Sequence, residues 1–261
     1  MNGTIRRTPA SLRELTPARV ALATIGHSIA TDEVLVFQLA HAKARDAVHA
    51  TLNATHISRQ LSVELARVGV ESIPVIEMRS NAPDRATYLR RPDLGRTLHP
   101  DSVAKLTSGS FDLAIVVADG LSPLAVEHHA IPLITSLLPL LKTDKWSIAP
   151  ITVVLQGRVA IGDPIGAALR ARCSLVLIGE RPGLSSPDSL GAYLTWAPQP
   201  GRTDAQRNCL SNIRSGGLVA EVAAARLHWL LRAARAKQLS GVALKEGPLE
   251  FEVPPRIAPK L

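Results

Sequence analysis

Phe111-Asp112-Leu113-Ala114-Ile115-Val116-Val117-Ala118, followed at once by Asp119-Gly120-Leu121-Ser122-Pro123, decides the fold. From Leu113 to Ala118 no polar residue leaves a face for water, and the run has the length of a strand rather than a helix. A strand covered on both sides needs helices above and below a largely parallel sheet. Ile148–Leu155 and Leu175–Ile178 repeat the pattern. Between the runs lie helix-like stretches, Leu124–Leu141 and Pro164–Arg172, giving successive β-α-β units and an α/β, doubly wound, mostly parallel sheet flanked by helices.

Upstream the texture is helical. Asp32–Ala50 places Val34, Phe37, Ala40, Ala44 and Val48 at three-to-four spacing behind Thr31 as N-cap, and Thr55–Val68 carries an Ile57, Leu61, Leu65, Val68 stripe stopped by Gly69. Val70–Met78 is β-branched and short, with Pro74 directing it to a sheet edge. The change of texture sets a boundary near residue 72, with a smaller helical N-terminal domain over 1–72 and the sheet domain over 73–261. A last helix spans Val219–Gln238, ended by Gly241 and followed by a Pro-rich tail.

Ligands of open α/β sheets sit beyond the carboxyl ends of the strands. Three loops there are rich in glycine and charge: Asp119–Pro123, Gly157–Asp163 and Gly179–Gly183. Glycine lets backbone amides approach a bulky ligand, and a carboxylate accepts hydrogen bonds from amides or hydroxyls. The same residues also serve simply to turn a chain, but three such loops on one edge point to a site. No catalytic machine accompanies them. Neither G-x-G-x-x-G nor a P-loop occurs, and G-x-S-x-G and H-E-x-x-H are missing. Adjacent His128 and His129 lack the i, i+4 spacing of a helical zinc pair and read as structural, so no metal site is expected. Asp119 is a conceivable general base, yet no nucleophile or second acid is tied to it by spacing.

Composition bounds the rest. Apolar residues make up 46% of the 261 and aromatic residues 3%, so aliphatic side chains must fill the core. No apolar run reaches the roughly 18 residues of a membrane span, and no signal sequence opens the chain, which makes the cytoplasm the expected compartment. Cys173 and Cys209 are the only cysteines, too few for a disulfide framework. The formal charge of +8 is dispersed, without an aromatic platform, which argues for solvated faces or a subunit interface over a nucleic-acid partner.

Specific strings carry a resemblance. Phe37–Val48, Tyr88–Arg96, Asp119–Ser122, Gly179-Glu180-Arg181-Pro182-Gly183-Leu184 and Asn208-Cys209-Leu210-Ser211-Asn212-Ile213 resemble, in order and spacing, the small (light) subunit of ethanolamine ammonia-lyase, over about Leu12 to Gly241. The resemblance implies a helical N-terminal part, a Rossmann-like C-terminal part and a hetero-oligomer with a large TIM-barrel subunit. It implies adenosylcobalamin as cofactor and a radical lyase reaction, ethanolamine to acetaldehyde and ammonia, with substrate held by the large subunit. Carried over residue by residue, cofactor contacts fall on Val159, Glu180 and Cys209, and no catalytic residue falls on this chain. Without the resemblance, Val159 reads as core, Glu180 as an ion-pair partner of Arg181, and Cys209 as a buried thiol. Only about a dozen residues precede the matching core, so enclosure in a bacterial microcompartment is not expected. A non-catalytic nucleotide-binding or regulatory module is the alternative reading.

Overall fold

A computed structural model describes residues 5–6, 16 and 18–244. The Pro-rich tail, and the N-terminal arm apart from Ile5 and Arg6, lie outside the described residues. Three two-residue strands, β1 (Ile5–Arg6), β2 (Thr24–Ile25) and β3 (Ser28–Ile29), pair antiparallel ahead of helices α1 (Thr31–His49) and α2 (Ala54–Arg67). Strands β4 (Val75–Arg79), β5 (Phe111–Ala118), β6 (Ile151–Leu155), β7 (Ala171–Gly179), β8 (Leu190–Trp196) and β9 (Arg207–Ile213) form one sheet in the order β4-β6-β5-β7-β8-β9. The first four in that row run parallel; β8 and β9 are antiparallel. Helices α3 (Arg85–Arg90), α4 (Pro100–Val103), α5 (Pro123–Thr143), α6 (Gly162–Leu169) and α7 (Ala220–Lys237) follow among the described residues.

The run that decides the fold does what its lack of alternation requires. Leu113, Ile115 and Val117 enter one core with α2, α5 and α7, while Ala114, Val116 and Ala118 enter a second core with α6. The strand expected over Val70–Met78 begins only after Pro74, at Val75, and does take the sheet edge. Ile57, Leu61 and Leu65 of α2 are buried in the same core as Val153 and Leu175, at about 1.5–3 kcal/mol for each such side chain. Asn53 caps this helix by accepting from the His56 amide at 3.0 Å, and Gly69, at φ +70°, ends it where the Val70 amide donates to the Leu65 carbonyl.

Three details depart from expectation. Thr31 is the first helical residue of α1 rather than its cap, which is Ala30 without a side-chain bond. The last helix stops at Gln238, itself left-handed at φ 55°, and Gly241 instead opens a short 3-10 turn. The two antiparallel strands β8 and β9 add an edge to the parallel sheet where no strand is expected. Helix α5 has the length and apolarity of a membrane span, yet Leu133, Ile134, Leu137, Leu138 and Leu141 are spent in the core against the sheet. It is a core helix.

Candidate functional site

The carboxyl edge of the parallel strands is a switch point. After β5 the chain turns to α5 on one face of the sheet; after β6 it turns to α6 on the other, opening a crevice between the two loops. The loops after β5 and β7 touch through their backbones, the Leu121 amide donating to the Gly179 carbonyl at 2.9 Å. A Cβ on Gly120 would strike that carbonyl, and one on Gly179 would strike the carbonyl of Ser122. Gly120 also sits at φ +57°, so closeness and conformation both demand glycine there.

Beneath this contact lies a buried charge network. Asp119 is fully buried and accepts from the Gln156 amide at 3.0 Å and the Gly157 amide at 3.1 Å, joining the ends of β5 and β6. Arg85 approaches the Asp119 carboxylate only to 3.6 Å; it donates instead to the Gly120 carbonyl at 2.7 Å and the Val48 carbonyl at 2.8 Å. Asp84 starts α3 by accepting from the Thr87 amide, which places Arg85 and Tyr88 under the site loops. The buried Tyr88 hydroxyl donates to the Gly157 carbonyl at 2.9 Å, and the guanidinium of Arg158 lies 4.3 Å from the centre of its ring. Burial pushes the Asp119 carboxyl up to about 6 against the pull of the Gln156 amide and Arg85. Held away from solvent, Asp119 ties loops together and is out of reach as a general base.

Above the network is a cavity of about 410 Å³ lined by Tyr88, Leu121, Arg158, Val159, Glu180 and Tyr193 among others. Val159 begins the 3-10 turn Val159–Ile161, packs partly on the second core and faces this space. Glu180 follows β7. Its Oε2 accepts from the Ser189 hydroxyl at 2.6 Å and the Asn212 amide at 3.2 Å, linking β7 to the start of β8 and the end of β9. Those partners, rather than Arg181, are what its carboxylate holds. Cys209 does not line the cavity; it stands on β9 directly across from Tyr193, which does. Its side chain is exposed rather than buried, yet partial desolvation, with the Glu180 charge adding to it, holds the thiol above the ordinary cysteine range. The structure thus brings Val159 and Glu180 to one cavity and sets Cys209 beside its Tyr193 wall.

Residue-by-residue reading missed Arg85, Tyr88, Arg158 and Tyr193. A signal was present: the chain has two tyrosines, and both line this cavity.

Comparison with known proteins agrees with the resemblance in the sequence. A family model described as ethanolamine ammonia-lyase light chain matches residues 7–245. A protein named ethanolamine ammonia-lyase small subunit from Azotobacter vinelandii is 53% identical over 241 residues, covering 90% of this chain and 87% of that one. Its namesake from Bradyrhizobium diazoefficiens is 53% identical over 245 residues, covering 92% and 91%. One from Pseudomonas putida is 52% identical over 242 residues, covering 90% and 86%. On a match that spans both the helical segment and the whole sheet, the chain belongs to the ethanolamine ammonia-lyase light-chain family.

Proposed function

We propose that the chain is the cofactor-holding subunit of an ethanolamine ammonia-lyase, with Val159, Glu180 and Cys209 set against adenosylcobalamin while a large partner subunit holds ethanolamine. The observation that carries this reading is the cavity at the carboxyl edge, bordered by Val159 and Glu180. When bound, the cofactor supplies the radical that starts the conversion of ethanolamine to acetaldehyde and ammonia. The work of this chain is to bind and orient.

The residues present suit such a ligand. Arg158, which lines the cavity, keeps a buried Nε without a hydrogen-bond partner, a donor that a carboxamide carbonyl would satisfy. Glu180 spends Oε2 on Ser189 and Asn212, which leaves Oε1 as an acceptor for an amide or hydroxyl of the cofactor. Val159 gives apolar contact, and Cys209, kept as a thiol, gives a small soft one. Drug-sized ligands fill about 300–1,000 Å³. A cavity of about 410 Å³ therefore takes only part of a corrinoid and leaves the remainder for a second protein surface. That supports a hetero-oligomer. Residues 73–261 are read as the Rossmann-like unit with ligand at the switch point, and 1–72 as a smaller helical unit whose α2 packs into the core of the sheet. The cytoplasm is the compartment proposed.

The test is reconstitution. The purified chain alone should release no ammonia from ethanolamine and adenosylcobalamin, and adding the large subunit should restore turnover. On gel filtration cobalamin absorbance should travel with the complex. Turnover by the rigorously purified isolated chain would overturn the division of labour.

A further inference from the structure

The segment that runs from Glu180 into β8 returns to the start of α5 at two points. The Ser122 hydroxyl donates to the Pro187 carbonyl at 2.7 Å. One residue later, Asp188 Oδ2 lies 3.1 Å from His129 Nε2 and 3.5 Å from His128 Nδ1. One nitrogen from each imidazole and one carboxylate oxygen lie within 4.8 Å of one another. Spacing along a helix excluded only a pair of histidines acting alone; the third group comes from a different part of the chain.

We propose that His128, His129 and Asp188 form a binding site for a divalent transition cation of the zinc class, which clips the segment after β7 to α5. Zinc takes imidazole nitrogen and carboxylate oxygen at about 2.0–2.2 Å, so two ligand atoms of a tetrahedral site stand about 3.3–3.5 Å apart. The two measured contacts to Asp188 fall at 3.1 and 3.5 Å, near that separation before any cation enters. Between the two imidazoles the freer partner is His128, whose side chain is 55% exposed, while that of His129 is 12% exposed. Two imidazoles and a carboxylate suit zinc, cobalt, nickel or copper rather than magnesium or calcium, and the solvent side leaves a fourth position for water. The site does not depend on the lyase reading, although the segment it fixes carries Ser189, the partner of Glu180.

The experiment is titration of the untagged full chain near neutral pH, with Zn²⁺ by calorimetry and with Co²⁺ by visible absorption, beside His129→Gln, Asp188→Asn and Cys209→Ser. Asp188→Asn retains an acceptor for both histidines, so circular dichroism and melting in the absence of metal should match the parent. A single saturable equivalent is expected in the parent and in Cys209→Ser. Affinity should fall more than about 100-fold in the other two, since even outer-shell partners are worth about 10- to 100-fold. Zn²⁺ should raise the melting temperature only where it binds. No saturable equivalent in the parent, binding kept by both His129→Gln and Asp188→Asn, or binding lost in Cys209→Ser would overturn the site and leave a hydrogen-bonded clasp.

Discussion

Two buried arginine–aspartate pairs serve this fold in opposite ways. Arg207 on β9 meets Asp163 in the first turn of α6 with both arms, Nη1 to Oδ1 at 2.7 Å and Nη2 to Oδ2 at 2.6 Å, and both side chains are 2% exposed. Arg85 and Asp119, 9% and 0% exposed, stay 3.6 Å apart; Arg85 donates to backbone carbonyls and Asp119 accepts from backbone amides instead. Burial lowers the Arg85 pKa, and Asp119 does not reverse it; at Arg207 burial pulls the same way, yet Asp163 overrides it and the net shift is upward. The first pair joins α6 to the antiparallel edge. The second spreads its charge over the backbone of the loops that border the cavity.

Removing charge from each pair should break the comparison if it is wrong. Asp163→Asn turns an amide NH₂ towards the Arg207 fork and leaves the buried cation only the exposed Asp204, 3.5 Å from its Nε, as a charge partner, at up to about 3–5 kcal/mol of stability. Asp119→Asn keeps an acceptor for one of the two amides, and Arg85 keeps its carbonyls, so about 1–3 kcal/mol is expected. Urea midpoints at neutral pH measure both. Equal losses would mean that the pairs are energetically alike and that the split geometry at Asp119 carries no meaning.

A pH profile sharpens the same point. The Asp119 carboxyl moves from 3.8 to about 6 on folding, so between those values the folded state holds the proton that the unfolded state gives up. Its contribution to stability is therefore greatest at low pH and falls as pH rises through that window, by about 1.4 kcal/mol per unit at most, and is level above about 6. Asp84, Asp93 and Asp188 have lowered pKa values and shift stability the other way, so the measurement is the difference between the parent and Asp119→Asn. That difference should decline from about pH 4 to about pH 6. A flat difference would show that the amides and Arg85 fully offset burial.

What the sequence disclosed follows from how each element is covered. Leu113–Ala118 of β5 and Leu175–Ile178 of β7 are sealed on both faces, so they read as continuous apolar runs and announce themselves. β9 lies at the sheet edge and reads Arg-Asn-Cys-Leu-Ser-Asn-Ile, with only Leu210 and Ile213 of its apolar residues in the core; no run of β-branched residues marks it. β8 carries Gly191 and a bulge in its pairing with β9, which blurs the alternation. At the site, glycine and charge marked the loops after β5, β6 and β7. Arg85 and Tyr88 stayed hidden because they arrive from α3, a six-residue helix with no apolar stripe, and act through a register that only the folded chain creates.

Glu180 is the carboxylate on which the comparison becomes functional, because it shares features of both pairs. Like Asp163 it ties elements together, through Ser189 and the Asn212 amide; like Asp119 it belongs to a site loop. If Oε2 is the structural half and Oε1 the ligand-facing half, Glu180→Gln separates them. The glutamine Oε1 can rotate to keep the Ser189 and Asn212 bonds, which turns its NH₂ towards the cavity and replaces an acceptor by a donor. One hydrogen bond to a neutral group is worth about 0.5–1.5 kcal/mol, so cobalamin should dissociate from the complex about three- to tenfold more readily. The melting temperature of the chain should move by no more than a few degrees. A large fall in melting temperature with unchanged cobalamin retention would assign both carboxylate oxygens to the structure and leave Val159 and the unpartnered Arg158 Nε as the groups that meet the cofactor.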